Sequence, residues 1–256
     1  MTTTGAFSDL AVNASAQAGQ DTAFAGLRWL RAGYVFHTFT YRDPRAPYSS
    51  APALPVVSPT TVLLGIASTL FSLGLARDAL DFLEAAHLCK VLVDPPVGIV
   101  FFRAFHQARR YETDKYDKAN ARLGLTAINQ AMREHGLSQG EITVFVGVPP
   151  EHEERVRLAL LNRDHLGTHD SLCSLVGAVE SCDEPRDVIY LPPEQAFPIE
   201  GVTVVSLSRF RRAPRPLLPY WWLAGGEDTE IVPYIIPGQF RGTSRGKVFR
   251  KYRKTS

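Results

Sequence analysis

Cysteine is scarce in this chain of 256 residues: Cys89, Cys173 and Cys182 complete the set, and no two lie close in sequence. That spacing excludes a CxxC metal or redox motif and a disulfide framework, and it is the usage expected of a protein in a reducing cytoplasm. Histidine is no better organised. His37, His87, His106, His135, His152, His165 and His169 stand apart without an HExxH pattern, so neither a metal nor a cofactor is expected. GxGxxG, P-loop and serine-hydrolase signatures are missing as well. The most apolar stretch, Val62 to Ala76, is too short to span a bilayer and carries Ser68, Thr69 and Ser72, so no membrane partner is expected. Met1 to Gly26 lacks the basic start of a signal peptide and reads as a partly ordered leader. Net charge is only +2, too small to imply any partner on its own.

The distribution of charge says more than its sum. Basic residues gather in Arg103 to Arg122, in Arg209-Phe210-Arg211-Arg212, and from Arg241 to the end, whereas acids concentrate at Glu151 to Glu154 and Glu180 to Asp187. Segregation of this kind favours a polyanion on one side of the molecule. A hydrophobic content of 45% supports a core of one large domain or two small lobes.

Periodicity sets the organisation. A strand with aromatic and apolar residues on both alternating faces runs from Arg28 to Tyr41, which predicts a sheet covered on both sides. A proline-studded connector reaches Ser58-Pro59-Thr60-Thr61, followed by helical patterns over Pro59 to Leu75, with Gly74 as a stop, and over Ala76 to Leu88. Val97 to Phe105 reads as the next strand. His106 to Gly124 has no core face and reads as an excursion, a long hairpin or loop. A short helix is predicted over Leu125 to His135, a strand over Ile142 to Val148, a helix over Glu151 to Leu161 and a strand over Ser171 to Val179. The expected fold is therefore α+β, a ferredoxin-like (RRM-type) βαββαβ domain over 27–182 with a thumb-like insertion at about 104–124. A smaller β-rich C-terminal lobe with a basic tail fills 183–256.

Chemistry follows from three features. Ser58 suits an N-cap and Pro59 the first helical position, so the helix start with Thr60 and Thr61 is either a phosphate cradle or simply a well-made terminus. The excursion interleaves charge and rings: Arg103, Arg109, Arg110, Tyr111, Lys115, Tyr116, Lys118 and Arg122 offer contacts to phosphates and to stacked bases, as in single-stranded RNA recognition. Arg209, Arg211 and Arg212 add a second basic cluster. His106 beside arginines and tyrosines is the alternative signal, a base for metal-independent RNA cleavage, against a plain strand-end histidine. A third alternative is an interaction scaffold that meets other subunits through Trp221-Trp222 and the basic tail, which would otherwise be a solubilising end.

The aromatic first strand, Tyr48-Ser49-Ser50, Ser58-Pro59-Thr60-Thr61 leading into Leu64-Gly65, and Leu166-Gly167-Thr168-His169-Asp170-Ser171-Leu172 together resemble the RAMP superfamily of CRISPR-associated proteins. Within it the likeness is to the Cas five-type capping subunit of type I (Cascade) effectors, over roughly residues 28 to 180. The resemblance implies a ferredoxin-like domain whose thumb grips the 5′ handle of CRISPR RNA, with backbone and large subunits of the complex, and target DNA, as further partners. It adds Tyr48 and His169 to the expected RNA contacts. The processing branch of that family carries an adjacent Lys-His pair that this chain lacks, so the resemblance implies a non-enzymatic role.

Overall fold

The computed structural model describes residues 26–45, 52–110, 127–167, 171–185, 202–214, 228–243 and 246–251, with the backbone alone for 105–110 and 127–132. It is an α+β fold of two antiparallel sheets and few helices. The first sheet has the order β2-β5-β1-β6, built from β2 (Lys90–Asp94), β5 (Ile142–Val148), β1 (Arg28–Phe36) and β6 (Cys173–Cys182). The second has the order β4-β3-β9-β8-β7, built from β4 (Ala127–Gln139), β3 (Gly98–Arg110), β9 (Gly246–Lys251), β8 (Thr229–Thr243) and β7 (Val202–Phe210). Helices α1 (Pro59–Ser72) and α2 (Ala76–Ala85) connect β1 to β2, and α3 (Glu153–Leu161) connects β5 to β6.

Alternation explains how β1 is seated. Leu30, Ala32, Tyr34 and Phe36 point to one side and are buried among Val62, Ile66 and Leu70 of α1 and Val156 and Leu160 of α3. The Tyr34 hydroxyl donates to the Leu160 carbonyl at 2.7 Å, filling one of the acceptors that a helix end leaves without an intrahelical donor. The opposite side of this sheet is not covered by helices, contrary to the expectation from its apolar alternation. Trp29 and Leu92 pack together there with Phe145 and Cys182, but Val35 and Val176 are each 42% exposed and the charged residues are ion-paired. Arg31 meets Glu141 at 3.4 Å and Glu180 at 3.0 Å, and Lys90 meets Glu184 at 2.7 Å.

Between the two sheets runs the connector. Phe39 exchanges both backbone hydrogen bonds with Gly136 of β4, at 3.0 and 2.8 Å. A side chain at Gly136 would place its Cβ 2.5 Å from the Phe39 ring, so only glycine admits that crossing. Phe39 stacks on Tyr41 at 4.6 Å and meets Phe101 edge-on, continuing one core through both sheets to Phe240 and Phe249.

Three further sequence expectations need correction. Leu125 to His135 is not a helix: from Ala127 it is β4, paired residue for residue with β3 from Gly98↔Gln139 to Arg110↔Ala127. Its Ala, Met, Arg and Glu content favours a helix locally, and pairing with a neighbouring strand overrides so weak a preference. The strand at Val97 to Phe105 belongs to the second sheet, while the first sheet takes the short run Lys90–Asp94, which sequence reasoning passed over. Of the basic residues after Arg241, Lys247, Arg250 and Lys251 are not a loose end, because β9 lies between β3 and β8.

Candidate nucleic-acid interface

The helix start keeps its backbone geometry but uses its hydroxyls differently from expectation. Ser58 is extended and Pro59 occupies the first turn, yet the Ser58 hydroxyl caps no helical N–H. It accepts instead from the Ser208 N–H of β7 at 3.3 Å, while the Thr60 hydroxyl donates to the Ser208 carbonyl at 3.1 Å. Thr60 is buried, and the Thr61 and Val62 N–H groups both donate to the Ser58 carbonyl. Two side chains thus stand in for a strand partner on β7. The contact brings the helix start beside the second basic cluster, where Arg209 pairs with Glu230 at 2.7 Å and Arg212 with Asp228 at 2.6 Å. Arg211 is exposed.

The two segments that carry the resemblance also meet. Gly167 has a positive φ of 106°, and a Cβ there would sit 3.3 Å from Tyr41 and 3.7 Å from the Thr61 methyl. Beneath them lies Arg163, only 5% exposed, whose Nε donates to the His165 carbonyl at 2.8 Å. Burial lowers its pKa from the ordinary arginine value, and it shares the site with Tyr34, Tyr41 and Cys173. The same burial pushes the Cys173 thiol up to about 11 and the Tyr41 phenol well above its usual range. Nothing in the sequence pattern marked Arg163, since a single arginine after a helix has no periodic signature.

Of the expected thumb contacts, Arg103 is exposed where the β3–β4 hairpin leaves the sheet. Arg109 and Arg110 lie at the far end of β3 by backbone register. Tyr48, Tyr111, Lys115, Tyr116, Lys118, Arg122 and His169 fall outside the described residues, as do Trp221 and Trp222. His106 pairs with Ala131 in the hairpin ladder. The hairpin is the longest two-stranded element: its arms pair over 13 residues each, whereas β9 accompanies β3 only from Gly98 to Phe101.

A further surface went unread in the sequence. On the outer side of the second sheet, opposite buried Ile99, Phe101 and Phe249, the register aligns rows across the strands. One row is Gln139, Gly98, Arg250 and Gln239; the next is Leu137, Val100, Val248 and Arg241; a third pairs His135 with Phe102. Val100 is 50% and Leu137 49% exposed. Phe102 and His135 stack at 5.7 Å with planes 22° apart. Only the pairing of β9 with β3 creates this face, and sequence periodicity does not report which strands become neighbours.

No family model matches the chain, and no curated protein matches it. Among solved structures it is similar to the crystal structure of a CRISPR protein from Archaeoglobus fulgidus, with a TM-score of 0.40 and 12% identity, covering 89% of this chain and 93% of that one. A likeness so slight carries no argument about activity. Among the described residues, no group of His, Cys, Asp and Glu could hold a metal ion, and no helix is long and apolar enough to cross a membrane.

Proposed function

We propose that this protein is a CRISPR RNA-binding subunit that performs no cleavage, gripping the 5′ handle and capping the backbone of a Cascade-type interference complex. In this reading the first sheet with α1, α2 and α3 is the ferredoxin-like domain and the β3–β4 hairpin is the thumb. The observation that carries it is the way that hairpin is inserted. It interrupts a split βαβ frame between its second and third strands, β2 and β5, and continues for nine residues of β3 beyond the last pair with β9. At about 3.4 Å per residue that is an arm of roughly 30 Å, long enough to lie along several nucleotides. Arg103 at its base and Arg109 and Arg110 towards its tip give the arm cationic residues along its length. The meeting of the Thr61 helix start with the Gly167 turn supports the resemblance that suggested the family. Backbone and large subunits would be its protein partners.

The decisive measurement is binding of handle-containing CRISPR RNA by the protein assembled with its partner subunits. Tight binding that weakens with salt at a log–log slope of about −0.7 per neutralised phosphate is expected, with repeat RNA left intact in EDTA. Affinity no greater than for an unrelated RNA of equal length would refute the handle role. A discrete cut lost in His106→Ala would replace it with the endoribonuclease reading.

A further inference from the structure

The usual place for RNA on a ferredoxin-like domain is the open face of its sheet, where aromatic side chains stack bases. In this chain that face is a poor candidate. Its charged residues are Asp94, Glu141, Glu180 and Glu184 against Arg31 and Lys90, and every one of them is engaged in an ion pair, Asp94 with Lys251 of β9. The acids would repel a phosphate backbone, and the cations are already neutralised.

The outer side of the second sheet has the opposite character. By the alternation that turns Phe240 and Phe249 towards the core, their neighbours Arg241 and Arg250 point outward, and both are exposed. No described residue in these rows is acidic. Between the arginines lie Val100, Leu137 and Val248, and beside them the Phe102–His135 stack. Gly98 lies between Gln139 and Arg250, where the absence of a side chain leaves the sheet flat, and Gln139 and Gln239 flank the row with both donors and acceptors.

We propose that this face is a second platform for single-stranded RNA, with Arg241 and Arg250 on phosphates, Phe102 and His135 under a base, and Val100 and Leu137 against the next. Charge complementarity selects the ligand. A face that is apolar in the middle, cationic around it and free of acids among its described residues suits a polyanion with exposed ring faces, which a single strand offers and a duplex hides. The platform adjoins the base of the hairpin, so a strand held along the arm would continue onto it. This inference rests on the RNA-binding reading and goes further by naming a surface that reading does not require.

The test uses the full-length chain and a fluorescent eight-nucleotide oligouridine, with oligothymidine and a duplex of equal length as comparisons. Parent protein should prefer the single-stranded RNA. The double variant Arg241→Gln, Arg250→Gln should bind about tenfold more weakly and lower the salt slope by about 1.4, two phosphates' worth. Phe102→Leu, which keeps the apolar volume and removes the ring, should lose about five- to tenfold. The control Arg28→Gln, Arg77→Gln should bind as the parent does. Unchanged affinity in both Arg241→Gln, Arg250→Gln and Phe102→Leu would overturn the platform while leaving the handle reading intact. Equal binding of the duplex would overturn it too, and equal binding of oligothymidine would make it a general single-strand surface and remove the RNA assignment. A parent chain that binds no RNA, alone or with partner subunits, would remove both proposals.

Discussion

Glu134 and Lys247 hold the same residue by its two backbone groups. Glu134 accepts the Ala53 N–H at 2.8 Å, Lys247 donates to the Ala53 carbonyl at 3.1 Å, and the two side chains meet at 2.7 Å. The Lys247 ammonium also lies 4.8 Å from the Phe101 ring centre and 5.0 Å from that of Phe240. This arrangement fastens the proline-rich connector to β4 and β9. Glu134→Gln or Lys247→Met alone should cost roughly 3 kcal/mol, because each leaves a half-buried partner unmatched. The double variant should cost clearly less than the sum. Urea midpoints at constant m-value measure this, and strict additivity would show that the two residues act independently.

Gly65 should tolerate nothing larger. A Cβ at that position would fall 1.3 Å from Nη2 of Arg163, whose guanidinium lies against α1. Gly65→Ala is expected to destabilise by about 3 kcal/mol or more, at the upper end for overpacking. Combining it with Arg163→Met, which removes the clashing group, should recover part of the loss. Thermal denaturation of the three variants decides; a Gly65→Ala protein as stable as the parent would mean that Arg163 lies elsewhere.

Removing the Thr60 hydroxyl tests the edge of β7. Thr60→Val leaves the Ser208 carbonyl without its donor at a buried position and should cost about 1–2 kcal/mol. Ser58→Ala should cost less, since its bond is longer at 3.3 Å. Hydrogen exchange at the Ser208 amide should accelerate in Ser58→Ala and change little in a variant such as Ser72→Ala on the exposed end of α1.

Alkaline conditions should loosen the fold before they affect its surface. Burial raises the thiol of Cys173 to about 11 and that of Cys89 to about 12, and it raises the Tyr34 and Tyr41 phenols as well. In the unfolded chain the thiols ionise near 9, so between there and their folded values the folded protein holds the extra protons. Stability is therefore intact below pH 9 and declines as pH rises towards 11. Urea midpoints at pH 7.5, 8.5, 9.5 and 10.5 should stay level and then fall. A Cys89→Ala, Cys173→Ala variant should start lower and fall less steeply over the first unit, and a flat parent profile would contradict the assignment.

Local pattern carried most of the first sheet and the helices that cover it. β1, α1 with its Gly74 stop, β5, α3 and β6 follow from alternation, helical spacing and a proline at the first turn, all properties of adjacent residues. What stayed hidden depends on distant partners. β4 reads as a helix until β3 is beside it, and Lys90–Asp94 is too short to show a period. For the site, the helix start at Ser58 and Pro59 was legible, but the use of the Ser58 and Thr60 hydroxyls on β7 follows from a segment some 150 positions away. The face that carries Arg250, Arg241 and Phe102 is invisible for the same reason, since neighbours in a sheet need not be neighbours in a pattern.

β9 occupies a central position in the second sheet although it follows in the chain both of the strands it separates. During synthesis β3 and β8 must therefore leave the ribosome with bare edges and wait for it. Until those six residues arrive, Phe240 lacks the Phe249 ring, and two strand edges are open to other nascent chains. A stop codon placed just before Gly246 would thus do far more than shorten the polypeptide: it would withhold the wedge on which the whole sheet closes.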